Sequence, residues 1–165
     1  MSTERITHWI DGQLWDGPAE RSGDVYDPAT GQITKTVDFA SGADVDAAVA
    51  SAKRAFDTEW GRATLTKRMQ VLFRFRELMN QNKEQIAALI TDEHGKVLSD
   101  ALGEVTRGLE VVEFACGNAH LLKGSYSEQV STGVDVYSLR QPLGVVGIIS
   151  PFNFPAMVPM WFFPI

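Results

Sequence analysis

The chain of 165 residues has a single cysteine, three histidines and no excess of positive charge. One thiol cannot form an internal disulfide or supply a zinc site alone, and it fits a reducing cytoplasm. The net charge of −6 opposes binding to a phosphate backbone, which calls for a basic surface. No partner role for nucleic acid is therefore expected. His8, His94 and His120 do not stand at metal-ligand spacing, so no metal site is expected. His94 is placed in the last turn of a helix, where a cation is favoured. The first ten residues lack an apolar signal core and an Arg-rich leader, which points to a cytoplasmic protein. Internal repeats and low-complexity segments are also missing.

Charge is absent from Pro142 to Ile165, yet five of the chain's seven prolines fall there. Prolines remove backbone donors and free carbonyls that lipid cannot satisfy, so a membrane span is rejected. A buried strand, a loop and a helix start are expected instead. At 44% hydrophobic and 22% charged residues, the composition is that of a globular protein.

The first forty residues read as short strands and turns. Asp11-Gly12 between Trp9-Ile10 and Gln13-Leu14 predicts a tight hairpin. Pro28 to Gly31 predicts a second turn. Helical periodicity follows. Ser41 with Asp44 three residues on predicts a capped helix with Val45, Ala48, Val49, Ala52 and Phe56 as its apolar stripe. Thr64 opens a second helix, with Leu65, Met69, Leu72 and Phe73 inward. Asn82 with Gln85 resembles a capping box for a third, which ends near Gly95. Ser99 is expected to cap a fourth helix that runs to about Leu122.

On that fourth helix, Val105, Leu109, Val112, Cys116 and Ala119 form one stripe. The other side carries Arg107, Gly108, Val111 and Phe114, so burial on most sides is expected. A guanidinium buried there needs an anionic partner. That partner is a nearby carboxylate or a ligand's, unless the head reaches solvent on a buried stem. Cys116 lies on the apolar stripe, where a thiol keeps a high pKa and is inert.

Beyond Gly124 the period becomes two. Val134 to Leu139 predicts a strand with two different faces. Leu143 to Ile149 is a β-branched run that predicts a parallel strand covered on both faces. Ligands of open α/β sheets bind at the carboxyl ends of strands, where Ser150 to Pro155 falls. Two prolines stiffen the loop around Asn153. A rigid amide can donate to a developing oxyanion, or Asn153 can simply cap a turn. Gly144 and Gly147 do not make a dinucleotide fingerprint. Trp15, Trp60 and Trp161 read as core or interface.

The segment Gln141-Pro142-Leu143-Gly144-Val145-Val146-Gly147, continued by Ile148-Ile149-Ser150-Pro151-Phe152-Asn153-Phe154-Pro155, resembles a motif of the aldehyde dehydrogenase superfamily. Trp9-Ile10-Asp11-Gly12, Asp27-Pro28-Ala29-Thr30-Gly31, Asp46-Ala47-Ala48-Val49 and Glu93-His94-Gly95-Lys96 fit the same superfamily. Phe152 stands where the motif usually has Trp. With Ala156 to Ile165, that change resembles the CoA-acylating methylmalonate-semialdehyde dehydrogenase branch.

The resemblance implies an α/β fold, aldehyde dehydrogenase-like. Residues 1–165 would be the N-terminal portion of the Rossmann-type NAD-binding domain, incomplete, with the 134–141 strand region as part of the oligomerisation sheet. The catalytic domain would be absent. The resemblance further implies NAD as cofactor, coenzyme A as co-substrate, a semialdehyde substrate and a homo-oligomer, dimer or tetramer. It implies Asn153 as the catalytic oxyanion donor, Ser150 and Phe152 as cofactor-binding residues, and Arg107 as the group that binds the substrate carboxylate. The wholly apolar end, Met157 to Ile165, has no stop signal and suggests a fragment. The expected activity is oxidation of methylmalonate or malonate semialdehyde to propionyl-CoA or acetyl-CoA with loss of CO2, in valine, pyrimidine or inositol breakdown. The fragment alone is expected to be inactive. The competing expectation is a non-catalytic remnant or interaction module.

Overall fold

The computed structural model describes residues 4–165. The N-terminal part holds five strands: β1 (Glu4–Ile6), β2 (Trp9–Ile10), β3 (Gln13–Leu14), β4 (Arg21–Tyr26) and β5 (Ile33–Phe39). β5 lies between β1, parallel to it, and β4, antiparallel. β2 and β3 form the expected hairpin, with Asp11 at φ 57° and Gly12 at φ 76°. Both turn residues are left-handed, as a two-residue turn that matches strand twist requires.

Six α-helices follow, α1 (Gly42–Thr58), α2 (Leu65–Gln81), α3 (Lys83–His94), α4 (Leu98–Cys116), α5 (Asn118–Leu121) and α6 (Met157–Phe162), with a single 3-10 turn, Trp60–Arg62, between the first two. The Ser41 capping box forms in full, since Ser41 Oγ accepts from the Asp44 amide and Asp44 accepts from the Ser41 amide. Thr64 caps α2 with one bond only, its side chain accepting from the Lys67 amide. Asn82 differs from expectation. It begins α3, but its side-chain amide donates back to the Leu78 carbonyl of α2, so the capping box does not form. With no spacer between α2 and α3, Asn82 serves the end of one helix rather than the start of the next. α3 ends at Gly95, whose φ of 78° suits a residue without Cβ. α4 begins one residue before the expected Ser99 cap, with Val97 at the cap position, and it breaks at Gly117 instead of running to Leu122.

The core lies where α3, α4 and α6 meet. Ala87, Ile90, Ala101, Val105, Leu109, Val112 and Met160 form one buried cluster. On α4 the buried positions are 101, 104, 105, 108, 109, 112, 115 and 116, a spacing of three and four that marks one helix face. Gly108 permits the close approach of α6, because a Cβ there would stand 2.6 Å from the Met160 sulfur. The opposite face of α4 is open. Thr106, Arg107, Glu110 and Phe114 are exposed, which corrects the expectation of a helix buried on most sides. The apolar stripe of α1 is only partly covered: Ala48 and Phe56 are half-buried, Val45, Val49 and Ala52 are exposed, and no residue of that helix is fully buried.

The largest departure is the run from Leu143 to Ile149. It forms no strand; Leu143 is 95% and Ile149 99% exposed. A strand needs a neighbour to take its N–H and C=O groups, and among the described residues none lies beside this run. Upstream, β6 (Tyr126–Ser131) and β7 (Val134–Tyr137) form an antiparallel hairpin that is exposed throughout. The sequence periodicity identified β7; β6 escaped it. No helix among the described residues is long and apolar enough to cross a membrane.

Candidate active-site loop

The loop that leads into α6 is fastened to α3 and α4 by side chains on both. The Phe152 ring lies 5.3 Å from that of His94, the last residue of α3. Lys96 Nζ donates to the backbone carbonyl of Asn153 at 2.9 Å and stands 4.4 Å from the centre of the Phe154 ring. Arg107 reaches the same ring from α4, at 5.9 Å. Both cations therefore share one aromatic partner, at distances where cation–π attraction operates.

Glu104 organises this region. It projects from the buried face of α4, with its side chain 0% exposed. Its Oε1 accepts from the amides of Ala156 (2.8 Å) and Met157 (3.1 Å), and its Oε2 accepts from Lys96 Nζ at 2.5 Å. Burial pulls this carboxyl upward, but the Lys96 ammonium and the two amides outweigh it, and the net shift is down. Glu104 is thus charged at neutral pH. Loss of one partner from such a pair leaves a buried charge uncompensated, a cost of about 3–5 kcal/mol. Sequence reading missed Glu104, although a carboxylate three residues after Ala101 and four before Gly108 was visible on an apolar stripe and required a partner.

Asn153 and Arg107 are brought to one neighbourhood through Lys96 and Phe154. Asn153 and Phe152 are exposed, as is Ser150 two residues before Phe152. Arg107 is exposed rather than buried, and no ion pair among the described residues involves it. Its guanidinium needs no internal carboxylate because solvent reaches it. Cys116 is buried at 4% exposure, and burial pushes its thiol upward. Among the described residues no group of three possible ligands could hold a metal. Of the tryptophans, Trp15 is half-buried with its Nε1 donating to Asp44, while Trp60 and Trp161 are exposed.

Comparison with known proteins decides the family. The profile of the aldehyde dehydrogenase family matches residues 15–165. The chain belongs to that family. It is 46% identical over 160 residues to the malonate-semialdehyde dehydrogenase of Pseudomonas aeruginosa, covering 97% of this chain and 32% of the relative. It is 43% identical to the human mitochondrial methylmalonate-semialdehyde/malonate-semialdehyde dehydrogenase [acylating], covering 99% of this chain and 30% of that protein. Among solved structures, a methylmalonate-semialdehyde dehydrogenase of Oceanimonas doudoroffii superposes with a TM-score of 0.92 at 49% identity, covering 98% of this chain and 33% of that one. A Sinorhizobium meliloti protein assigned to the same activity, solved in complex with NAD, gives 0.92 at 42% identity, covering 99% and 33%. The fold is that of the aldehyde dehydrogenases. The chain spans about a third of the length of these relatives.

Proposed function

We propose that these residues form the leading part of an NAD-dependent, CoA-acylating dehydrogenase of methylmalonate or malonate semialdehyde. In this reading residues 1–165 are an incomplete NAD-binding domain, and the 134–141 region belongs to an oligomerisation sheet. The breakdown of valine, pyrimidines or inositol is the setting we assign to it. The observation that carries the reading is the loop itself. Asn153 is exposed at its side chain while its backbone carbonyl is held by Lys96.

A held backbone with a free amide suits an oxyanion donor. As a nucleophile adds to an aldehyde, negative charge builds on the carbonyl oxygen. Asn153 Nδ2 donates to that oxygen without first reorganising. The nucleophile belongs to the remainder of the enzyme, because the buried thiol of Cys116 is poorly suited to the task. Arg107, without an ion-pair partner among the described residues, suits the carboxylate that distinguishes a semialdehyde acid from a plain aldehyde.

The cofactor fits this chain in part. Ser150 and Phe152 offer an exposed hydroxyl and ring beside the loop, suited to one wall of a nicotinamide site. Bound NAD would supply the acceptor for the hydride. Coenzyme A, as co-substrate, would take the acyl group.

The direct test is NADH formation from methylmalonate and malonate semialdehyde, with and without CoA, by the full-length enzyme carrying this segment. Turnover that ignores CoA would refute the acylating assignment. The 165-residue chain alone is expected to form no NADH from propanal and CoA. Asn153→Ala should lower turnover about 100- to 1,000-fold, as loss of an oxyanion donor does elsewhere. Near-normal turnover would reduce Asn153 to a turn former. Arg107→Ala should cost about 10- to 100-fold in kcat/KM for the carboxylated semialdehydes and little for propanal. An equal loss on both would remove the carboxylate role.

A further inference from the structure

We propose that Glu104 and Lys96 are positioning residues that fix the backbone from the Asn153 carbonyl to the start of α6, so that the catalytic amide is held in place by an ion pair between α4 and the α3–α4 turn. The inference rests on the proposed role of Asn153.

The geometry is that of a clamp. Lys96 Nζ holds the carbonyl of Asn153 at 2.9 Å. Three residues later, Glu104 Oε1 holds the amides of Ala156 and Met157 at 2.8 and 3.1 Å. The two clamping groups are bonded to each other at 2.5 Å, with side-chain exposures of 13% for Lys96 and 0% for Glu104. Phe154, between the two anchor points, packs under the Lys96 ammonium. The backbone on the C-terminal side of Asn153 therefore has little freedom to shift, while its side chain stays open. An oxyanion donor acts over a tolerance of a few tenths of an ångström, and displacement by 1 Å can cost about 100-fold in rate.

Each variant separates holding from folding. In Glu104→Gln the amide oxygen can still accept from Ala156 and Met157. Its amide nitrogen, however, faces the Lys96 ammonium donor to donor, so Lys96 loses its anchor. Lys96→Met with Glu104→Gln removes both the ammonium and the carboxylate while keeping an acceptor for the Ala156 and Met157 amides, so no charge is left buried and unpaired.

The experiment is steady-state kinetics of the full-length enzyme with a semialdehyde, NAD and CoA. Glu104→Gln should lower kcat about 10- to 100-fold with KM changed less than about twofold, the signature of an interaction used in the transition state. Lys96→Arg, which keeps charge and donor, should recover more than half of the activity that Lys96→Met loses. Combined with Asn153→Ala, Glu104→Gln should add less than about twofold, because the group it positions is already gone. If Glu104→Gln does not fold, the Lys96→Met/Glu104→Gln protein carries the same two readouts. Folded protein with near-normal kcat in either form would overturn the proposal. So would a loss that multiplies with that of Asn153→Ala. Where Asn153→Ala is itself harmless, the oxyanion reading fails and takes this one with it. Where Asn153→Ala is crippling and the clamp variants are not, only the clamp is wrong.

Discussion

Two parts of this molecule share an apolar composition and differ in what that composition meets. The face of α4 from Ala101 to Cys116 is closed off by α2, α3 and α6. The run from Leu143 to Ile149 is no less apolar, yet it lies in the open, as does the hairpin that precedes it in the chain. For α4, a first partner, α3, is at hand across a short loop, and α6 adds to that packed pair from further along the chain. A parallel strand must wait for neighbours distant in sequence. Sequence periodicity thus describes what a segment wants, and chain connectivity decides whether a partner is at hand.

The largest effect should come from breaking the closed side. Leu109→Ala removes a side chain 6% exposed at the centre of the α4 cluster. Urea unfolding of the 165-residue chain should show a loss of about 2–5 kcal/mol, the range for a truncated core leucine. A loss under about 1 kcal/mol would mean that this cluster is not packed as described.

The same comparison explains what could be read from the sequence. Ser41 with Asp44, Thr64, Asp11-Gly12 and Gly95 act within a few residues of themselves, so their caps and turns were legible from local pattern. Asn153 and its loop were legible through a motif. Glu104 and Lys96 were not, because their partners lie 52 and 57 residues away along the chain, at Ala156 and Asn153. The Leu143–Ile149 strand was over-read for the opposite reason. Its β-branched residues signal the pairing, but the pairing partner is not among the described residues. Arg107 was misplaced because Gly108 and Arg107, adjacent in sequence, point to opposite environments on the helix, one buried against Met160 and one exposed.

A smaller effect sharpens the closed side. Gly108→Ala puts a methyl group 2.6 Å from the Met160 sulfur and 3.2 Å from its Cβ. Methionine is flexible and its sulfur can move aside, but its Cβ cannot move without α6. A destabilisation of about 1–3 kcal/mol is expected from overpacking, partly offset by the helix preference of alanine. Pairing with Met160→Ala should relieve it. If Gly108→Ala is instead stabilising on its own, α4 and α6 lie farther apart than described.

The smallest effect concerns the open side, and its smallness is the point. Ile149→Ser removes a side chain that is 99% exposed, so unfolding of the 165-residue chain should change by no more than about 0.5 kcal/mol. In the full-length enzyme the run would serve as a strand inside a parallel sheet, and the same substitution would then bury a hydroxyl in place of a butyl group. There the cost should rise to core values of about 2–5 kcal/mol. A contrast of that kind would show that the run's β-branched composition is matched to a distant partner. Equal and small effects in both proteins would mean that the run stays open in the whole enzyme, and the apolar pattern from Leu143 to Ile149 would need a different explanation, with a second molecule rather than a neighbouring strand as its cover.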